Sequence, residues 1–380
     1  MNAKMLSKIT IIVVLVILAY AGICVGERAY HLASSYYSHG DNYVSDEIYY
    51  VDTARRYLIN IFKIKINYYN MSGSTDSNYF NLEHPPLGKY IIALAMVTCG
   101  DKPVCWRLPG IIEASLLPLI IGLASYRVAR LYNVNHPEIV ALIGGLAAAS
   151  NRIVFMDGSV ALLDIHMSFF GALSLLALAY DRPRSAVILG VLSSTVKMTG
   201  VVFLFAVFIY YIVKIKSFNK RIIDLVIVPL LVILLVYLPL IYYFGPIEII
   251  KETIDALKWF STSRPPGPPV SGPLGWLVNS NPFYFNYNMV YSAAVMTPLV
   301  SLAGFASSLV MVGVFTDKLV DKGDPPWAYG SISVAAVFLL FGLLYALGNH
   351  TFYSFYAVVL VPGLSLSLAE IASYVSSLEG

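Results

Sequence analysis

The stretch Ile9-Thr10-Ile11-Ile12-Val13-Val14-Leu15-Val16-Ile17-Leu18-Ala19-Tyr20-Ala21-Gly22-Ile23-Cys24-Val25 decides the class of fold. It carries no charge and approaches the roughly 20 apolar residues that a helix needs to cross a bilayer. Lys4 and Lys8 precede it and no small-residue cleavage site follows, so it reads as a retained span rather than a cleaved signal peptide. Similar runs recur at 106–126, 138–149, 160–180, 186–196, 200–213, 222–244, 289–315, 327–347 and 352–374, which with the first makes about ten. The expectation is an all-α polytopic membrane protein, a single transmembrane domain over residues 1–380.

Composition agrees. Of 380 residues 58% are hydrophobic and only 12% charged, and the mean hydropathy is +0.72. A net charge of +3, thinly scattered, speaks against a nucleic-acid partner. No glycine-rich phosphate loop or zinc-type Cys/His spacing occurs.

Orientation follows from the basic connectors, because short loops kept in the cytoplasm are enriched in Lys and Arg. Arg127 and Arg130, Arg182 and Arg184, the stretch from Lys214 to Arg221, and Lys318 with Lys322 share one side with the N-terminus if residues 90–98 do not span. That segment, about nine apolar residues after Pro85-Pro86, is too short to cross and is expected to lie along the outer interface. The protein is therefore expected in the cell membrane with its unusual polar residues facing outward.

Two long outer loops bound that face, residues 26–104 and 245–288. In the first, residues 46–62 read as an amphipathic helix lying on the membrane. Arg55, Arg56, Lys63 and Lys65 there have a bland reading as solvated loop charges. The second contains Ser263-Arg264-Pro265-Pro266-Gly267-Pro268-Pro269 and the aromatic stretch Phe283-Tyr284-Phe285, either a substrate lid or a surface loop anchored by aromatics. Short runs meeting at Lys197-Met198-Thr199-Gly200 are expected to surround a cavity. Cys99 and Cys105 flank an outer turn where a disulfide is permitted, and Cys24 is left over as a small hydrophobe. Asn70-Met71-Ser72 and Asn349-His350-Thr351 match the glycosylation sequon.

Several motifs carry chemistry in a definite order. They are Asp46-Glu47, His84-Pro85-Pro86-Leu87-Gly88-Lys89, Trp106-Arg107-Leu108-Pro109, Arg152 to Asp157 with Leu163-Asp164, Lys197-Met198-Thr199-Gly200, and Phe352-Tyr353-Ser354-Phe355-Tyr356. Over most of its length the chain thereby resembles the protein O-mannosyltransferase family, the dolichyl-phosphate-mannose-protein mannosyltransferases, which are membrane glycosyltransferases of the GT-C type. The second outer loop is too short for the β-trefoil domain that eukaryotic members insert, so the resemblance is to compact prokaryotic, archaeal-like members. It implies a GT-C fold with juxtamembrane helices in the first outer loop. It also implies a dolichyl- or polyprenyl-phosphate sugar donor, most simply mannose, a hydroxyl acceptor on protein Ser/Thr, and no cofactor; a dimer is compatible with it.

Such a transfer needs a base for the acceptor hydroxyl and cationic help for the departing phosphate. By analogy with the family, Asp46 is assigned as base and Glu47 as an orienting or sugar-binding group. Arg107 is the first candidate for the donor phosphate because of its planar fork, with Arg152, Lys197 and Arg264 in support. His84 either contacts phosphate or acceptor or holds the turn that Pro85 and Pro86 impose before the Lys89 helix. Asp157 and Asp164, seven residues apart, share a face if one helix holds both; otherwise Asp164 pairs with a buried cation. One base and one leaving group imply a single displacement with inversion. A divalent metal held by Asp46, Glu47 and Asp157 is a minor further reading, opposed by the resemblance. Two competing readings keep the donor with a lipid-linked glycan acceptor, or make the protein a non-catalytic transporter or scaffold; no internal repeat favours the latter.

Overall fold

The apolar runs fold as helices whose ends are set largely by proline and polar residues. A computed structural model describes residues 3–38, 43–66, 78–262, 269–286 and 288–378. Arg264 and the sequon Asn70-Met71-Ser72 lie outside these.

The first run becomes α1 (Ala3–Ser38), which continues well past its expected end at Val25. The reason is a buried stripe at helical spacing, Ala29, Leu32, Ala33 and Tyr36, that keeps its outer part packed on the protein. The helix therefore runs past residue 26, where the first outer loop was expected to begin. α2 (Glu47–Arg56) follows, prolonged by a π-helical turn at Tyr57–Ile61, and then α3 (Leu87–Cys99). α4 (Pro103–Leu131), α5 (Pro137–Ser150), α6 (Arg152–Gly158), α7 (Leu163–Ala179) and α8 (Pro183–Val196) come next. α9 (Val201–Lys214), α10 (Phe218–Ile222), α11 (Val228–Phe244), α12 (Pro246–Phe260) and α13 (Pro273–Leu277) lead to α14 (Pro298–Val320), α15 (Tyr329–Ala346) and α16 (Val361–Leu378). Proline opens many of them, α4, α5, α8, α12 and α14 included, where its missing N–H has no helical partner to lose.

Among the described residues there is no strand, only an isolated bridge between Tyr284 and Ala293. The protein is an all-helical, multi-pass membrane protein. Among the described residues six helices are long and apolar enough to cross a membrane, seven if α5 and α6, bent by 54°, make one span. α7, α8 and the helix Met198–Lys214 are shorter. Each of the ten expected runs thus meets a helix, but length alone accounts for six or seven crossings. The run at 289–315 starts late, at Pro298, because a 3-10 turn at Val290–Ser292 and an extended approach precede it.

Small residues bring the helices together. A Cβ on Gly22 would lie 2.2 Å from the Ser115 carbonyl oxygen, and one on Gly26 2.0 Å from the Ser115 hydroxyl, so α1 and α4 nearly touch backbone to backbone. By contrast Phe218 to Phe244 presents Leu230, Leu235 and Tyr242 outward, as a lipid-facing span would.

α2 departs from the expected surface helix. Tyr50, Val51, Asp52, Thr53, Ala54 and Arg55 are all buried. Arg55 is no solvated loop charge: its Nε and Nη2 donate to Asp101 at 2.7 and 2.9 Å, and its Nη1 to Asp52 at 2.7 Å. The Trp106 indole donates to the same Asp101 carboxylate at 2.7 Å, and the guanidinium lies 4.8 Å from its ring. A disulfide between Cys99 and Cys105 closes the turn that carries Asp101. α2, the end of α3 and the start of α4 are thereby tied into one outer platform. In the second outer loop Phe283 and Phe285 pack against Phe355, so these aromatics anchor the loop.

Candidate active site

The acidic pair divides into two environments. Val44 to Glu47 makes a tight turn, with Ser45 at φ 54° and the Glu47 N–H donating to the Val44 carbonyl at 3.2 Å. Asp46 then stands at the N-cap of α2 and Glu47 in its first turn, and consecutive helical positions point about 100° apart.

Glu47 turns inward and is fully buried. Its carboxylate accepts from Arg107 Nε and Nη2 at 2.8 Å each, from Val44 N–H at 2.8 Å and from Ala161 N–H at 2.7 Å. Arg107 Nη1 donates to the Ala33 carbonyl at 2.8 Å, and the guanidinium lies 5.5 Å from the Tyr36 ring. The bidentate pair joins α1, α2, α4 and the α6–α7 connection. Arg107 is thus buried beneath the outer face with its fork spent on Glu47, and neither side chain lines the two cavities described next.

Asp46 instead borders a cavity of about 810 Å³. Tyr49, Tyr50, Asn81, Glu83, His84 and Tyr356 share its walls. Tyr50 is almost wholly buried, and that burial, then the charge of Asp46, holds its phenol well above its ordinary pKa, so it stays a donor. Glu83 accepts from the Tyr79 hydroxyl and from Asn81 at 2.7 Å.

The hexapeptide shapes this cavity. Pro85 and Pro86 are buried, Pro86 caps α3, and its carbonyl accepts from Tyr90 at 3.0 Å. A Cβ on Gly88 would meet Leu163 at 2.5 Å, so glycine lets α3 seat on α7 and α8. Lys89 is fully buried and folds back to hold the loop, donating to the Asn81 carbonyl and to the His84 carbonyl at 2.7 Å. Burial pushes its ammonium down to about 7. Lys89 therefore positions the loop from behind, away from the cavity, and His84 is left on the cavity wall, edge-on to Tyr50 at 5.6 Å.

A second, apolar cavity of about 190 Å³ lies beside the first, with His84, Phe260 and Tyr356 common to both. Lys197 reaches it from the break between α8 and α9, where its extended backbone ends α8. Its Nζ donates to both oxygens of Asp164, at 2.8 and 2.9 Å, and lies 3.9 Å from the Tyr356 ring. The reading of Asp164 as partner of a buried cation is the one realised. Asp157 and Asp164 do not share a helix face, because α6 ends at Gly158 and α7 starts at Leu163. Asp157 is buried with neither carboxyl oxygen hydrogen-bonded, and it borders neither cavity.

Of the remaining expected residues, Arg152 is exposed at the start of α6, away from both cavities, and Arg264 lies outside the described residues. Asp46, Glu47 and Asp157 are not gathered as metal ligands: Glu47 is saturated by four donors, and no group of three His, Cys, Asp or Glu suited to a metal occurs among the described residues. Asn349 is buried, with its side-chain carbonyl accepting from Thr351 N–H at 3.0 Å, so its sequon is not presented for glycosylation. Sequence reasoning missed Tyr50 as a wall of the site and placed Tyr353 and Tyr356 in a motif without giving either a role; aromatics in an aromatic-rich chain carry little spacing signal of their own.

Solved structures share this fold. ArnT from Cupriavidus metallidurans bound to undecaprenyl phosphate superposes with a TM-score of 0.60 over 96% of this chain and 62% of that one, at 14% identity. The chain has the GT-C glycosyltransferase fold. The Archaeoglobus fulgidus oligosaccharyltransferase in its apo form is a second GT-C structure like it, with a TM-score of 0.55 over 94% of this chain and 50% of that one, also at 14% identity. In sequence, a polyprenol-phosphate-mannose–protein mannosyltransferase from Mycolicibacterium smegmatis is 26% identical over 101 residues, 27% of this chain. That match spans 18% of the relative's length. No family model matches the chain.

Proposed function

We propose that this GT-C protein transfers a sugar, most simply mannose, from a dolichyl or polyprenyl phosphate to a hydroxyl at the outer membrane face. The observation that carries the reading is the shared wall of two unlike cavities. A polar chamber bordered by Asp46 meets an apolar slot bordered by Lys197 across His84, Phe260 and Tyr356. The polar chamber suits a sugar and its acceptor, and the apolar slot suits the first isoprene units of the donor. The phosphate joining them then falls beside His84 and Lys197.

Asp46 takes the acceptor hydroxyl proton as the oxygen attacks the anomeric carbon, and the bond from that carbon to the phosphate oxygen breaks. Lys197 directs two of its donors to Asp164, leaving the third for the departing phosphate. Attack opposite to the leaving group inverts the anomeric centre. Similarity to a polyprenol-phosphate-mannose–protein mannosyltransferase supports mannose and a protein acceptor, and the undecaprenyl phosphate bound to ArnT supports the donor class.

The test is transfer of labelled mannose from dolichyl-phosphate-mannose to Ser/Thr peptides and to lipid-linked glycans, with release of polyprenyl phosphate followed in parallel. Acceptor-dependent release supports a transferase and names its acceptor. Binding of donor without release in the presence of every acceptor would favour the transporter reading.

A further inference from the structure

A third cavity, of about 650 Å³, lies at the other end of the bundle. One wall is Arg127, twenty residues beyond Arg107 on α4, which is about 30 Å along a helix. It plays no part in the transfer proposed above.

Its donors are only partly used. Arg127 Nε donates to the Ala179 carbonyl at 3.3 Å, while its two terminal nitrogens take no hydrogen bond among the described residues. Lys214 pairs with Asp324, whose side chain is 84% exposed, and a surface pair of this kind is worth little and easily exchanged. Asp181 accepts from Tyr210 and retains acceptor capacity. Tyr210, Trp327 and Tyr329 form an aromatic corner, with centroids 5.2 and 5.4 Å from the Tyr329 ring.

The corner is held in place from behind. Glu370, buried on α16, accepts from Gly330 N–H at 2.7 Å and Ser331 N–H at 3.1 Å, capping α15 just after Tyr329. The Tyr132 hydroxyl donates to the Trp327 carbonyl at 2.9 Å.

We infer that this cavity binds a sugar or polyol phosphate, its phosphate between Arg127 and Lys214 and its ring over the aromatic corner with hydroxyls toward Asp181. A guanidinium edge beside an exchangeable lysine suits a phosphate, whereas aromatic faces with a carboxylate suit a hydroxylated ring. The volume exceeds what phosphate alone would fill. The same chemistry is offered by a free sugar phosphate and by the headgroup of an inositol phospholipid.

The experiment uses the full chain in phosphatidylcholine nanodiscs. One arm titrates mannose 1-phosphate and inorganic phosphate calorimetrically; the other replaces part of the lipid with phosphatidylinositol and measures retained lipid by native mass spectrometry. Saturable binding in either arm, weakened about tenfold or more in Arg127→Gln, supports the site, and the arm that responds names the source. Lys214→Gln, at a partly exposed residue, should weaken it in the same sense and decides the matter if Arg127→Gln fails to fold. No saturable binding in either arm, binding unchanged in the variants, or equal affinity for inorganic phosphate would overturn the inference.

Discussion

Glu47 and Arg107, sixty residues apart in sequence, face each other through two hydrogen bonds of 2.8 Å in a fully buried ion pair. The neighbouring carboxylate, Asp46, lines the polar chamber. Two adjacent acids that look equivalent in sequence are thus separated by one helical step into a buried clamp and a group on the chamber wall.

The clamp predicts a stability effect. Breaking a buried pair by removing one partner leaves an uncompensated charge and destabilises by about 3–5 kcal/mol. Arg107→Ala and Glu47→Ala should each lower the melting temperature sharply in detergent, whereas Asp46→Asn should leave it nearly unchanged. Equal melting curves for all three would remove the distinction.

Asp164 and Lys197 predict a split between folding and turnover. Lys197→Met alone strands the Asp164 carboxylate, so it should destabilise more than the double variant Asp164→Asn/Lys197→Met, which removes both charges. Transfer should fall in both. A double-mutant cycle of melting free energies, with activity measured on the same samples, checks this. Activity that returns together with stability in the double variant would show that the pair only supports the fold.

Lys89 predicts a pH dependence. Its folded-state ammonium loses its proton near 7, while an unfolded lysine keeps it to about 10.4. Between these values the unfolded chain binds more protons, so this residue makes the fold relatively more stable as pH rises through that window. The melting temperature of wild type relative to Lys89→Met should therefore rise from pH 6.5 to 9 (about the window just named). A flat or falling difference would contradict it.

Asn349 predicts an absence. Because its amide is buried and bonded to Thr351 N–H, peptide mass spectrometry of protein made in a glycosylating host should find it unmodified. A glycan there would mean that this corner opens during synthesis or folding.

Much of the membrane architecture was legible because charge is so costly in hydrocarbon that spans announce themselves by what they lack. The cavity at the Lys197 break was legible for the same reason, since short helices and a lysine must face something other than lipid. The direction of each charge was not. Asp46 and Glu47 differ by one residue, and only the pairing with Arg107, brought in from α4, decides which turns inward. Arg55 read as a solvated loop charge because its partner, Asp101, lies forty-six residues away across a disulfide-closed turn. Long-range ion pairs of this kind leave no periodic trace.

The central claim is that Asp46 is the base, and the most direct measurement is mannose transfer from dolichyl-phosphate-mannose by Asp46→Asn protein whose melting curve matches wild type. The account predicts transfer reduced by about a hundredfold or more, with donor binding retained. Transfer at the wild-type rate by a correctly folded Asp46→Asn variant would contradict it.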